Sequence, residues 1–190
     1  MKIIFAGKYC KNLSKEKFNK HDCIYLGEFE DYSPHINLAD LVISYGYGKI
    51  FKEDALKKKI LNLHPSILPY GRGIYPIVWS VYNKHPIGYT IYQIISNRID
   101  EGRLYSSQEI KYKKNETFLE LFKKITKKAE NDLINNYESY FNNESKNIVT
   151  DKGNLFYKSK KESKEIVKYL SDGWDTTIEK FLLNTKNVRL

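Results

Sequence analysis

Short apolar runs, each closed by glycine or a polar residue, open this chain. KIIFA (2–6) ends at Gly7 and DCIYL (22–26) ends at Gly27. In ADLVISYGYG (39–48) the apolar residues 41–43 stand between Asp40 and Gly46. KKILNLH (58–64) is a fourth run, preceded by a helix-like stretch over 52–58. Continuous apolar runs of this length suit strands buried on both faces. Their alternation with helical segments predicts an α/β fold: a Rossmann-like, mostly parallel twisted sheet with flanking helices. The N-terminal half is shortened. About 35 residues separate the first strand from ADLVISY, whereas each full crossover needs a dozen or more, so at least one βα unit is trimmed.

Beyond residue 73 the period changes. IYPIVWSVYN (74–83) sets Ile77, Val78, Val81 and Tyr82 at helical spacing, and Pro76 suits a first helical turn. GYTIYQII (88–95) and RLYSSQEI (103–110) are β-rich and flank the loop SNRIDEG. The longest helix is predicted to start at Thr117, where Thr-Phe-Leu-Glu forms a capping box with Glu120. Phe118, Leu121, Phe122, Ile125, Ala129, Leu133 and Tyr137 then recur near a 3.6 period and predict its core face. Asn142, Asn143, Ser145 and Asn147 mark a loop. From 151 onward the pattern reads as a strand or extended arm, then two short helices around Asp172-Gly173. The organisation expected is one domain over 1–145, with 146–190 as a small C-terminal appendage packed on it.

Composition narrows the classes. A chain of 190 residues with 41 % hydrophobic and 14 % aromatic content can bury a real core, which excludes a disordered chain. No run of about 20 apolar residues is present, so no membrane partner is expected. MKIIFAG is too short for a signal-peptide core and reads as a buried strand. Cys10 and Cys23 have neither metal nor redox spacing, which predicts two free thiols, no metal and a reducing cytoplasm. The net charge of +9 fits either a polyanionic partner or lysines spread over solvated helix faces. The lysine clusters at 57–59, 123–124 and 127–128 mix with Glu and Asn and lack arginine–aromatic interleaving, which favours the second reading and no nucleic acid.

The candidate chemistry lies in LNLHPSILPYGRG (61–73). Asn62 and His64 are two apart on a predicted strand, so their side chains share a face while Leu61 and Leu63 face the other way. In doubly wound sheets ligands bind beyond the carboxyl ends of strands. An amide donor beside an imidazole at such an end suits acyl transfer: the amide holds a developing oxyanion and the imidazole moves a proton. By itself His64 equally reads as a core histidine closing the strand. Pro65, Pro69, Gly71 and Gly73 add a rigid turn, and Arg72 adds a charge. Asp100, before Gly102, can orient His64 or stabilise its charged form, though Asp and Gly are also ordinary turn residues.

ADLVISYGYGKIFKEDAL, NLHPSILPYGRGIYPIVWSVYNKHPIGYTIY and IDEGRLYSSQEI together resemble the N10-formyltetrahydrofolate-dependent formyltransferases over roughly residues 39 to 140. Within that family the chain is most similar to sugar-nucleotide N-formyltransferases of bacterial surface-glycan (O-antigen, lipopolysaccharide) synthesis; GWDTTI near the end adds to the likeness. The resemblance implies a catalytic trio at Asn62, His64 and Asp100, with N10-formyltetrahydrofolate as co-substrate. It implies folate contacts at Tyr45, Gly46, Tyr47, Lys49, Ile50, Ser66, Ile67, Leu68, Ile99 and Gly102. A nucleotide-linked amino sugar would enter beside Arg72, Gly73, Ile74 and Tyr75. A homodimer is a further family-level expectation, compatible with exposed aromatics at Phe156, Tyr157, Trp174 and Phe181. The chain departs from the pattern at Tyr92, where the family usually has His, and at Gly48-Lys49, where an Arg is common.

Two other readings stand beside this one. A purine-pathway (phosphoribosylglycinamide) formyltransferase would share the trio but carry a glycine-rich phosphate loop after the first strand, where FAGKYCKNL has Gly7 alone. The methionyl-tRNA formyltransferases resemble a longer chain with an added C-terminal domain. A basic, non-enzymatic module binding nucleic acid or glycan is the alternative outside enzymology, and it predicts steep salt dependence and indifference to His64→Ala.

Overall fold

Each of the four apolar runs becomes a strand: β1 (Lys2–Ala6), β2 (Asp22–Leu26), β3 (Leu41–Ser44) and β4 (Lys59–His64). The computed structural model describes residues 1–13, 15–149 and 157–190. The remaining strands are β5 (Arg72–Gly73), β6 (Gly88–Ile94), β7 (Gly102–Glu109), β8 (Ile148–Val149) and β9 (Tyr157–Lys158). The main sheet runs β2-β1-β3-β4-β6-β7-β8, and β5 and β9 pair separately. Strands β1 to β4 are mutually parallel, while β6, β7 and β8 add on antiparallel. Strand β8 lies beyond residue 145, so the main sheet extends past the boundary read from the sequence.

The compression of the first half has a simple form. Among the described residues, 3-10 turns at Cys10–Asn12 and Lys15–Phe18 stand between β1 and β2, and a one-turn helix, α1 (Ser33–Ile36), between β2 and β3. The helix expected over 52–58 is a single 3-10 turn, Ala55–Lys57. Seven residues cannot repay helix nucleation unless packing supplies the difference.

The other helices are α2 (Pro76–Tyr82), α3 (Phe118–Asn142), α4 (Lys160–Ile166) and α5 (Ile178–Asn184). The Thr117–Glu120 capping box starts α3. Its buried residues Phe118, Leu121, Ile125, Ala129, Leu133 and Tyr137 join Ile3, Phe5, Leu41, Ile43, Leu61, Leu63 and Ile91 in the larger core; Phe122 is half-buried. Fully burying such side chains stabilises by about 1.5–3 kcal/mol each. The opposite face of the sheet carries a smaller core of Ile4, Ala6, Val42 and Ile60 against Tyr32, Ile36 and Phe51. One polar contact fixes the rotation of α3. Asp132 accepts hydrogen bonds from Tyr89 and Ser106 on the sheet and from Tyr140 and Asn136 on its own helix.

The C-terminal residues share the larger core through Ile166, Leu170, Ile178 and Phe181. Phe181, expected to be exposed, is fully buried against the edge of Phe118 at 5.1 Å. The Trp79 indole of α2 donates to Ser163 of α4 at 3.1 Å, and β9 pairs in parallel with β5. The arm expected over 151–156, Phe156 included, lies outside the described residues. No helix among the described residues is long and apolar enough to cross a membrane.

Candidate active site

Three chain segments meet at the carboxyl end of β4: the strand itself, the turn that follows it to Tyr75, and the loop joining β6 to β7. Leu61 and Leu63 pack under α3, so Asn62 and His64 emerge on the other face, as period two requires. Across the antiparallel ladder Asn62 stands opposite Tyr92 of β6. The Asn62 amide donates through Nδ2 to Tyr92 Oη at 3.0 Å, and Tyr92 Oη donates to Asp100 Oδ1 at 2.9 Å. These directions follow from valence. An ionised carboxylate only accepts, so the phenol proton points at Asp100 and the phenol oxygen is left to receive the amide N–H. Burial, then the neighbouring Asp100 charge, holds the Tyr92 phenol well above its ordinary range, and it stays a donor.

His64 is 6 % exposed. Its Nε2 lies 3.0 Å from the Gly71 carbonyl, which can only accept, so that nitrogen carries a proton. Its Nδ1 faces Asp100 Oδ1 at 3.6 Å, beyond a hydrogen bond but within ion-pair reach. Both ring nitrogens therefore face acceptors.

Asp100 is held in place by two further devices. Its backbone is left-handed, φ 53°, a conformation Asp tolerates better than most residues, and its Oδ2 accepts from the Gly73 amide at 2.7 Å. Gly73 is itself left-handed, φ +92°, and a Cβ there would sit 2.7 Å from the Lys158 carbonyl. Arg72 clamps the residues on either side of Asp100. Its Nε donates to the Ile99 carbonyl at 2.9 Å, and its guanidinium meets Glu101 Oε1 at 3.2 Å, with both side chains buried. The turn after β4 is equally tied. Ser66 Oγ donates to the Tyr70 carbonyl at 2.6 Å, and Thr90 Oγ1 donates to the Ser66 carbonyl at 2.8 Å while accepting from the Leu68 amide.

Asn62, His64 and Asp100 thus come together at this edge. Arg72, expected as a charge in the turn beside which the amino sugar enters, is 1 % exposed, and its guanidinium faces the Ile99 carbonyl and the Glu101 carboxylate. Tyr45 is buried beneath α3 beside Thr126 and Glu130, and burial pushes its phenol up. Tyr47 donates to the Glu30 carbonyl at 2.6 Å and packs near Tyr32 and Phe51. Ser66 and Leu68 are buried in the turn and Gly102 is buried beneath the Tyr92 ring, while Gly46 and Ile67 are half-buried. Lys49, Ile50 and Ile99 are exposed, as is Ile74. Tyr75, left-handed at φ 56°, sets its ring 6.3 Å from that of Trp174. Tyr92, Thr90, Gly71 and Glu101 were not among the expected site residues. They enter through the antiparallel register and the loop fold, which leave no short motif.

The locus can do a definite kind of chemistry. An amide –NH2 has two donors. One Asn62 N–H is held by Tyr92, leaving a second to meet an oxyanion, with an imidazole and a carboxylate beside it to take and return a proton. Among the described residues no group of three or more His, Cys, Asp or Glu side chains could hold a metal ion.

The chain is similar to known proteins in sequence and in fold. Residues 23–136 match the Formyl transferase family. The chain superposes on the formyltransferase PseJ from Anoxybacillus kamchatkensis, solved in complex with UDP-4,6-dideoxy-4-formamido-L-AltNAc and tetrahydrofolate. The TM-score is 0.83 and the identity 27 %, covering 95 % of this chain and 97 % of that one. It is 29 % identical over 160 residues to the methionyl-tRNA formyltransferase of Pelagibacter ubique, covering 82 % of this chain and 49 % of that protein. It is 37 % identical over 90 residues to the bifunctional polymyxin resistance protein ArnA of Wigglesworthia glossinidia brevipalpis, covering 45 % of this chain and 14 % of that protein. The chain spans less than half the length of these two curated relatives.

Proposed function

The chain belongs to the formyl transferase family, and from that premise we propose that it moves a formyl group from N10-formyltetrahydrofolate to the amino group of a nucleotide-linked dideoxyamino sugar. The observation that carries this reading is the meeting of Asn62, His64 and Asp100 at the carboxyl edge of the sheet. In the proposed step the amine lone pair attacks the formyl carbon, a C–N bond forms, and the carbonyl π pair moves onto oxygen. The free Asn62 N–H stabilises that oxyanion. When the oxyanion re-forms the carbonyl, the bond to N10 breaks. The proton released by the amine passes to the His64–Asp100 pair and then to N10.

In this reading the donor meets residues near β3 and the β6–β7 loop. Exposed Ile50 and Ile99 offer apolar surface to a flat ring, and exposed Lys49 offers a cation to a carboxylate tail. The likeness to PseJ along almost the whole of both chains supports a nucleotide-linked sugar as acceptor. The C-terminal residues belong to the same working unit in this reading, since β9 braces the Gly73 amide that meets Asp100.

The test is direct. The protein is incubated with N10-formyltetrahydrofolate and, separately, nucleotide-linked amino sugars, glycinamide ribonucleotide and methionyl-tRNA, and products are read by mass spectrometry. A formylated amino sugar is the expected product. A folded, folate-binding protein that formylates only one of the other two acceptors overturns the sugar assignment.

A further inference from the structure

We infer that Tyr92 is a positioning residue for this reaction: its hydroxyl sets the direction in which Asn62 presents its amide to the reacting carbonyl. The inference rests on the formyl-transfer reading above, and its basis is the linear order of the contacts. Asn62 donates to Tyr92 and Tyr92 donates to Asp100, at 3.0 and 2.9 Å, from a ring that is 1 % exposed. A side-chain amide can rotate by half a turn and present its oxygen instead of its nitrogen. An Asn62 turned that way would place a carbonyl against the oxyanion and repel it.

Tyr92 prevents this. Its one proton is committed to the carboxylate, so its oxygen can only accept, and only the –NH2 end of Asn62 can satisfy it. The register puts the two residues directly opposite each other on β4 and β6, so backbone pairing fixes the distance before any side chain is placed. Tyr92 also donates to the same Oδ1 that faces His64 Nδ1, so it helps hold the carboxylate oxygen nearest the imidazole. It touches neither the formyl carbon nor the amine and acts through Asn62 and Asp100 alone.

Tyr92→Phe in the full chain removes the hydroxyl and little else. The expected result is a fall in kcat of about 10- to 100-fold with KM for both substrates within about threefold, short of the loss seen when an oxyanion donor is deleted outright. A side-chain amide NMR measurement gives a second readout without turnover. In the wild-type protein one Asn62 Nδ2 proton should exchange slowly and show a cross-peak to the Tyr92 ring, and in Tyr92→Phe that protection should vanish. Unchanged kcat in a folded Tyr92→Phe protein overturns the inference, and so does a loss confined to KM. Should the variant fail to fold, an unprotected Asn62 amide in the wild-type protein overturns it equally. If the wild type formylates nothing, the formyl-transfer reading fails by itself, and the amide measurement still decides whether Tyr92 holds Asn62.

Discussion

His64 Nδ1 lies 3.6 Å from Asp100 Oδ1, although the two residues sit on different elements and both are largely buried. The pair is the proton-handling part of the proposed site. His64→Asn keeps a polar side chain but cannot carry the proton, and Asp100→Asn keeps the shape but loses the charge. Each is expected to lower kcat/KM by about 10²- to 10⁴-fold. Folate binding, followed by calorimetry, should change little. A steady-state assay showing less than a tenfold loss in both variants would sink the assignment.

The clamp around Asp100 can be tested as stability. Arg72 and Glu101 form a buried ion pair, with side chains 1 % and 6 % exposed. Removing one partner takes away the other's buried counterion, a loss that typically costs about 3–5 kcal/mol, although Glu101 keeps the exposed Arg98 at 3.9 Å. Arg72→Met and Glu101→Leu should each lower the urea midpoint, while the double variant Arg72→Met/Glu101→Leu should be less damaged than the two losses added together. Strict additivity would mean that the pair is not coupled.

How much of this was readable in advance depends on which physics wrote each part. Strands β1, β3 and β4 were legible because Ile3, Ile43 and Leu61 are buried on one face of the sheet and their neighbours Ile4, Val42 and Ile60 on the other, which leaves continuous apolar runs. Helix α3 was legible because its capping box and apolar stripe are both local. Asn62 and His64 were legible as a pair from strand period alone. Tyr92 was visible only as an unusual residue, because its partnership with Asn62 depends on how far β6 slides along β4, and no local pattern encodes that register. The partnership of Arg72 with Glu101 was not legible for a related reason: it depends on how the β6–β7 loop folds beneath the turn.

Acid stability should depend on Asp132. Burial alone would raise its pKa, but hydrogen bonds from Ser106, Tyr140, Asn136 and Tyr89 outweigh that, and the folded carboxyl sits below its ordinary value. The sign follows. A folded pKa below the unfolded one, near 3.9, gives stability that is present above that value and is lost as pH falls through the folded pKa. In urea melts between about pH 6 and pH 2 the wild type should weaken toward the acid end. Asp132→Asn should be weaker at neutral pH and show a flatter acid limb. A wild-type curve and a variant curve of the same shape would remove Asp132 from the account.

Fold and site meet at Gly102. A Cβ on Gly102 would stand 1.9 Å from the Gln93 carbonyl and 2.8 Å from Cδ2 of the Tyr92 ring. The carbonyl belongs to the β6–β7 pairing, so it cannot retreat without opening the ladder, and the ring cannot retreat without leaving Asn62 and Asp100. Gly102→Ala should therefore cost at least the 1–3 kcal/mol typical of overpacking, and it should also reduce turnover in whatever fraction stays folded. Thermal melts measure the first effect, and kcat per folded molecule measures the second. The two effects together distinguish a glycine that merely permits the sheet from one that also backs the phenol. A destabilised variant with full turnover per folded molecule would leave Gly102 as a sheet residue only.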